Sequence, residues 1–579
     1  MIRYFLLILA LLSVVTAEKR PVELSADFIL NPTADPWIHT TPHLLNIALH
    51  GHSLSENQKE SLRELGYSFT GELVNHTSIT RWEADGLDQF TDSGMFRFHY
   101  TTDGTHSVGS EDLNGNSIPD YVDSMVTIFS NVHTNQLLDM NYVQPPSDGS
   151  GGGSDHYDIY IRNLQAGYYG YVQAENFASG NGDNENSEGT EMLAVTSYMA
   201  MRNDYDGFPS NTPIENIQVT AAHEFFHAIQ FGYNAYEKPW LMEATAVWME
   251  EQVYDSINDC YQYLPSWFAY PQTSLNAGGT HWYGSFIFFQ YIEEHMGGSS
   301  AMQRIFEIGV SQPSDETDFS QSNIDQALVE QGFSFIEALN GMAIANLLLT
   351  SDSETSDYTY SEAEDYPISE PGIYRTVSFI KGFESSVTST SLNKYATQYI
   401  KLESDNPMKV VLSSVSTYTA DFQMNAILQN NTGLITIFSG NEVNIDPTGM
   451  IAMTLAIVSQ DTVGGDWDYS ISITDGIPSV IGEPLLPGEI KIESNYPNPF
   501  NGTTSFQINI AETQQMEVEI VNSIGQTVRT ILEGNVEAGG TPLTWDGRME
   551  TGERAPSGLY FVNAIGQSTT TSEKILYLK

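Results

Sequence analysis

Among its 579 residues the chain has a single cysteine, Cys260. No internal disulfide can form, so packing and bound ions must hold the fold together. No motif around this thiol would activate it as a nucleophile, and a bystander role is expected. Basic residues are scarce: 22 Lys and Arg stand against 74 Asp and Glu, a formal charge of −52. That charge repels phosphates and anionic lipid, which excludes nucleic acid and acidic membrane surfaces as partners. It suits an exported protein that binds calcium or works in salty water. A solvated acidic surface that only confers solubility accounts for it equally well. Long apolar runs are also missing. Phe5 to Val15 follows Arg3 and precedes the small-residue site Val15-Thr16-Ala17. That run is shorter than the roughly 20 residues that span a bilayer. It reads as a secretory signal peptide over residues 1–17, so the mature protein is expected to be exported without a transmembrane span.

What is present is ample apolar content, 40 % of residues, in a length that suggests three or four domains. Residues 18–95 carry no catalytic motif and read as an N-terminal region or a propeptide. Ser55-Glu56-Asn57-Gln58 there looks like the cap of a short helix. Residues 96–350 form the chemical core. Phe96 to Tyr100, Tyr157 to Ile161 and Met192 to Tyr198 read as strands. Helical periodicity follows over Ile214 to Tyr233, Leu241 to Tyr254, Tyr283 to His295, Ala301 to Ile308 and Ile324 to Leu349. Strands first and helices after indicate an α+β domain. Ser351 to Asp365 reads as a linker. Residues 366–476 and 491–579 show short alternating runs and are expected to be two β-sandwiches, joined by the proline-bearing segment Pro478 to Pro487.

The chemistry concentrates in His223-Glu224-Phe225-Phe226-His227. Histidines four residues apart share a helix face, so their imidazoles can converge on one metal. The glutamate between them can reach a water at that metal. Downstream, Trp240-Leu241-Met242-Glu243-Ala244 places a carboxylate among apolar neighbours, where burial is costly unless it binds something. Glu243 is the expected third zinc ligand. Glu237 is a weaker candidate, and Glu250 a supporting partner on the Glu243 face. A zinc site of this kind hydrolyses peptide bonds with Glu224 as general base. An oxyanion also needs a donor besides the metal, and His281-Trp282-Tyr283-Gly284-Ser285 opens the next helix. An extended peptide substrate would be held by strand addition, for which Met192 to Tyr198 is the expected edge. The acidic stretch Asp183 to Glu191 reads as a surface loop.

HExxH followed by a W-L-x-E-[GA]-x-A helix resembles the gluzincin metallopeptidases. That resemblance implies a gluzincin-like α+β metalloprotease domain, with His223, His227 and Glu243 on zinc and Glu224 as the base. Tyr283 is the implied oxyanion donor, with His281 as alternative. Glu243 follows the histidines more closely than in the best-known members, and Ala244 replaces the commoner glycine. The stretch from Phe96 to Ile308 also resembles a family of secreted bacterial metalloproteases, through FHYTTDG, DLNGNSIPDYVD, TAAHEFFHAIQFGY, WLMEATAVWMEE and WYGSFIFFQYI.

Asp112, Asn114, Asn116, Asp120 and Asp123, with the Ile118 carbonyl, space oxygens as a calcium loop does, and Pro119 would start a helix behind them. An Asx-rich turn capping that helix is the alternative. Asn203 to Gly207 is a weaker second calcium candidate. The final module, from Asn495-Tyr496-Pro497-Asn498-Pro499-Phe500-Asn501 to Lys579, resembles the C-terminal sorting domain of the type nine secretion system. That implies the outer-membrane secretion machinery as a partner, and delivery to the cell surface or medium. The expected activity is a secreted zinc endopeptidase acting on proteins or peptides. An aminopeptidase, and a non-catalytic calcium-stabilised adhesin or scaffold, remain open.

Overall fold

The computed structural model describes residues 19–578 apart from 32–39, 65–85, 166, 179–189, 210, 314–316, 354–357, 416–420, 462–466, 477–489, 493–497, 499, 511–512, 537–538 and 568. The signal peptide, most of the acidic stretch 183–191, the linker 478–487 and much of the 495–501 motif lie outside the described residues. The protein is multidomain and rich in β-structure, and it divides into two compact units.

The first unit holds α1 (Pro21–Leu30), α2 (Thr41–His50), α3 (Glu56–Glu64), β1 (Gln89–Ser93), β2 (Phe96–Tyr100), α4 (Asp120–His133), β3 (Tyr157–Arg162), β4 (Gly170–Phe177), β5 (Val195–Arg202) and α5 (Pro213–Tyr233). Ser55 caps α3 as expected: its backbone N–H donates to Gln58 Oε1 at 3.3 Å and its hydroxyl accepts from Gln58 N at 3.4 Å. The strands form one sheet in the order β1-β2-β3-β5-β4. β2, β3 and β5 run parallel, while β1 and β4 are antiparallel to their neighbours.

This order corrects the expected substrate edge. Met192 is exposed and lies before β5, and β5 itself is interior, between β3 and β4. Among the described strands the edge on that side is β4. The physical reason is burial on both faces: every residue of β5 is buried, with Tyr198 to Met201 a continuous apolar run. α5 packs against β4, β5 and α4.

The second unit holds α6 (Pro239–Tyr254), α7 (Leu264–Ala269), α8 (His281–Gly284), α9 (Phe286–His295), α10 (Gly298–Gly309), α11 (Ser320–Gln331) and α12 (Phe335–Leu348). The single helix expected over Ile324 to Leu349 is two helices. Gly332, at φ 89°, caps α11 in the left-handed region, and Ser334 caps α12 by accepting from Glu337 N. Strands from Ile373 to Asp475 form a five-stranded and a four-stranded sheet around a shared apolar core, the expected sandwich. Strands from Ile490 to Tyr577 form a second, smaller pair of sheets with its own core.

Residues 358–365 do not behave as the expected free linker. Tyr360 is buried and donates to Asn346 Oδ1 at 2.8 Å, and the Tyr261 hydroxyl donates to Glu362. Tyr360 anchors the stretch to α12, and Glu362 ties it to the turn that carries Tyr261. α12 is joined to the first sandwich as well, with Tyr399 donating to the Ala343 carbonyl at 2.7 Å and Asn425 to Asn340 Oδ1 at 2.8 Å.

Candidate metal centre

α5 begins with a reciprocal cap. Thr212 accepts from Glu215 N at 3.3 Å, Glu215 accepts from Thr212 N at 2.8 Å, and Pro213 occupies the first helical position. The helix then runs buried through Ala221 to Tyr233. That burial keeps His223, Glu224 and His227 inside the first unit rather than on its surface.

Helical geometry brings His223 and His227 onto one face, and their Nε2 atoms stand 3.1 Å apart. His227 Nδ1 lies 2.8 Å from Gln230 Oε1. An amide oxygen only accepts, so the His227 proton sits on Nδ1 and its Nε2 presents a lone pair toward His223. Two nitrogens at zinc-bonding distance on a tetrahedral ion stand about 3.3 Å apart, close to what is seen. His223 and His227 are buried on α5 in the first unit, and Glu243 is buried on α6 in the second. Two imidazoles and a carboxylate are a donor set that fits zinc.

Gln230 was not singled out from the sequence. Its position three residues after His227, on the same helix, was the available signal. Gln230→Leu is expected to weaken zinc binding by about 10–100-fold, as outer-shell changes do, measured by competition with a chromogenic chelator. Unchanged affinity would remove Gln230 from the site.

Glu224 is buried, and its Oε2 accepts from the Thr41 hydroxyl at 2.7 Å. Thr41 was also not foreseen, because nothing in the sequence links α2 to α5. Glu237, the weaker ligand candidate, is committed elsewhere: it accepts from Ser320 Oγ at 2.7 Å and from Lys238 N at 2.9 Å. Burial raises its pKa above the usual carboxylate value.

In the second unit, α6 packs against α8 and α9. Tyr283 on α8 is buried, with its ring 5.1 Å from that of Tyr263. Burial raises the Tyr263 pKa well above that of a free phenol, and the nearby charges of Glu250, Asp259 and Glu243 raise it further. Glu250 and Glu243, both buried, thus lie near the same tyrosine, Tyr263. His281 stacks on Trp267 at 5.8 Å, and burial pulls its pKa down to about 4, so it is neutral at pH 7.

The expected calcium loop is a web of Asx turns. Asp112 accepts from the backbone N–H groups of Gly115, Asn116 and Ser117 at 2.8–3.2 Å. Asp120 accepts from Leu113 N, Asn116 Oδ1 from Ile118 N, and Asp123 from the side-chain amides of Asn114 and Asn116. Among the described residues the loop does not form one of the groups of three or more acidic, histidine or cysteine side chains close enough to share an ion. Asp204 caps its own turn by accepting from Asp206 N, and it too stands outside those groups. One such group is Glu251, Asp255 and Glu362, with Cys260 Sγ donating to Glu251 Oε2 at 3.1 Å. Burial raises the Cys260 thiol pKa, in keeping with an inert thiol.

A family model described as the FlgD Ig-like domain matches residues 494–570, within the second sandwich. Comparison with curated proteins returned no match. Among solved structures, PorZ, a surface component of the type-IX secretion system of Porphyromonas gingivalis, is 19 % identical over 19 % of this chain and 14 % of its own, with a TM-score of 0.13. Dimeric latent PorU from Porphyromonas gingivalis is 14 % identical over 30 % of this chain and 18 % of its own, with a TM-score of 0.14. The chain spans less than a fifth of either structure, and scores this low carry no argument about its fold. No helix among the described residues is long and apolar enough to cross a membrane.

Proposed function

We propose that the protein is an exported zinc-dependent endopeptidase of the gluzincin type. The observation that carries this reading is the paired imidazoles of His223 and His227, 3.1 Å apart, on the helix that also presents Glu224. Glu243 is the proposed third ligand, supported by the burial of its carboxylate among apolar neighbours on α6. When bound, zinc supplies Lewis acidity to a water molecule and to the scissile carbonyl. Glu224 takes the proton of the attacking water and returns it to the leaving amine. Tyr283 is proposed to donate to the oxyanion, supported by its place on a helix packed against α6.

β4 replaces Met192 to Tyr198 as the proposed strand against which a peptide lies extended. Calcium at Asp112 to Asp123 is retained as a proposal resting on oxygen spacing alone. The last sandwich is proposed to act as the secretion address, supported by its Ig-like match and the sequence resemblance.

Zinc content and casein hydrolysis test the reading together. About one zinc per chain is expected at His223 and His227, with hydrolysis abolished by 1,10-phenanthroline and restored by added zinc. A protein that binds no zinc, or cleaves equally well with the chelator, refutes it and favours the adhesin.

A further inference from the structure

The first unit carries a contact that a working peptidase does not need. Thr41 is buried at the start of α2, and its hydroxyl both donates and accepts. It donates to Glu224 Oε2 at 2.7 Å and accepts from Val172 N at 2.9 Å. A hydroxyl has one proton to give, and here the proposed general base holds it.

The second bond matters as much. Val172 lies on β4, the sheet edge, opposite Met199 of β5. An edge N–H that points away from its partner strand is the group an incoming extended peptide would use. Thr41 takes that donor and the Glu224 carboxylate with a single side chain.

The contact is not a loose end brushing the sheet. α2 packs against β4, and Val22, Ala26, Ile29, Leu44 and Ile47 share one buried apolar cluster with Tyr171 and Ala200 of the sheet. These apolar side chains leave water only when α1, α2 and the sheet stay together, so the helices dock as a unit.

We propose that residues 19–31 and 40–64 belong to an inhibitory segment of the peptidase, seated on the substrate edge and capping the general base through Thr41. Full activity then requires that this segment leave, which happens once the chain is cut between it and β1. This inference rests on the peptidase reading given above. It deepens that reading by assigning a regulator to the site.

The test inserts a specific protease recognition sequence after Gly86, in the exposed turn before β1, in the full chain. Casein hydrolysis and amide exchange at Val172 are measured before and after cutting and size exclusion. Cutting is expected to raise hydrolysis at least about tenfold and to speed Val172 exchange, because the amide loses its acceptor. Thr41→Val, which keeps the shape and removes the hydroxyl, is expected to raise hydrolysis several-fold and to speed the same amide in the uncut chain.

An uncut chain as active as the cut one overturns the inhibitory role while leaving the peptidase reading in place. Val172 exchange that is unchanged by cutting also overturns it. Zinc-loaded protein that cleaves nothing in either form, although Val172 exchange has accelerated, sinks the peptidase reading and the inhibitory role with it.

Discussion

Glu224→Gln, made in the zinc-loaded and cut form of the chain, is expected to lower kcat/KM for casein by about 10²–10⁴-fold. That corresponds to about 3–5 kcal/mol of transition-state stabilisation. Zinc content should not change, because the histidine rings and the Gln230 contact to His227 are untouched. The substitution keeps the side chain's size, but an amide cannot take a proton from water. The loss should therefore fall on kcat more than on KM. A variant with normal turnover, or one that loses its zinc along with its activity, would remove Glu224 from the role of base.

Glu251→Gln is expected to change stability rather than activity, and only over part of the pH range. Burial pushes the Glu251 pKa up from 4.5 to about 8, with the neighbouring Glu362 charge adding to it. Below pH 4.5 the folded and unfolded chains both hold this proton, and the contribution to stability is fully present. As pH rises the unfolded chain releases the proton while the folded chain keeps it, so stability falls until about pH 8 and then levels off.

At about 1.4 kcal/mol per pKa unit the loss is about 3–5 kcal/mol. The glutamine variant has no such proton to lose. In a chelating buffer, thermal melts should show wild type falling by about 5–10 °C relative to Glu251→Gln between pH 5 and pH 8. Parallel curves would show that Glu251 is ionised in the folded protein. Calcium that abolishes the difference would mean that Glu251, Asp255 and Glu362 hold a cation.

Much of the candidate centre could be read before any coordinates. His223, Glu224 and His227 are related by the helical repeat, which is local geometry, and the cap at Thr212 and Pro213 lies within the same stretch. The strand runs Phe96 to Tyr100 and Tyr157 to Ile161 lie at or nearly at their observed places, because alternation is likewise a local signal. β4 was missed. Gly170-Tyr171-Val172-Gln173-Ala174-Glu175 mixes polar residues into a buried strand, so its pattern did not separate it from a loop. The division of one expected helix at Gly332 was missed because apolar spacing continues across the glycine.

By itself the sequence determined which side chains are able to meet on one turn of helix, which charge the protein carries, and that no disulfide supports it. Those properties depend on composition and on neighbours within a few positions. Only the tertiary structure decided that β5 is interior and β4 the edge, that Glu237 serves α11, and that Thr41 reaches Glu224 from far earlier in the chain. Each of these follows from how whole elements bury their apolar faces against one another, a sum over many weak contacts that no short window of residues contains.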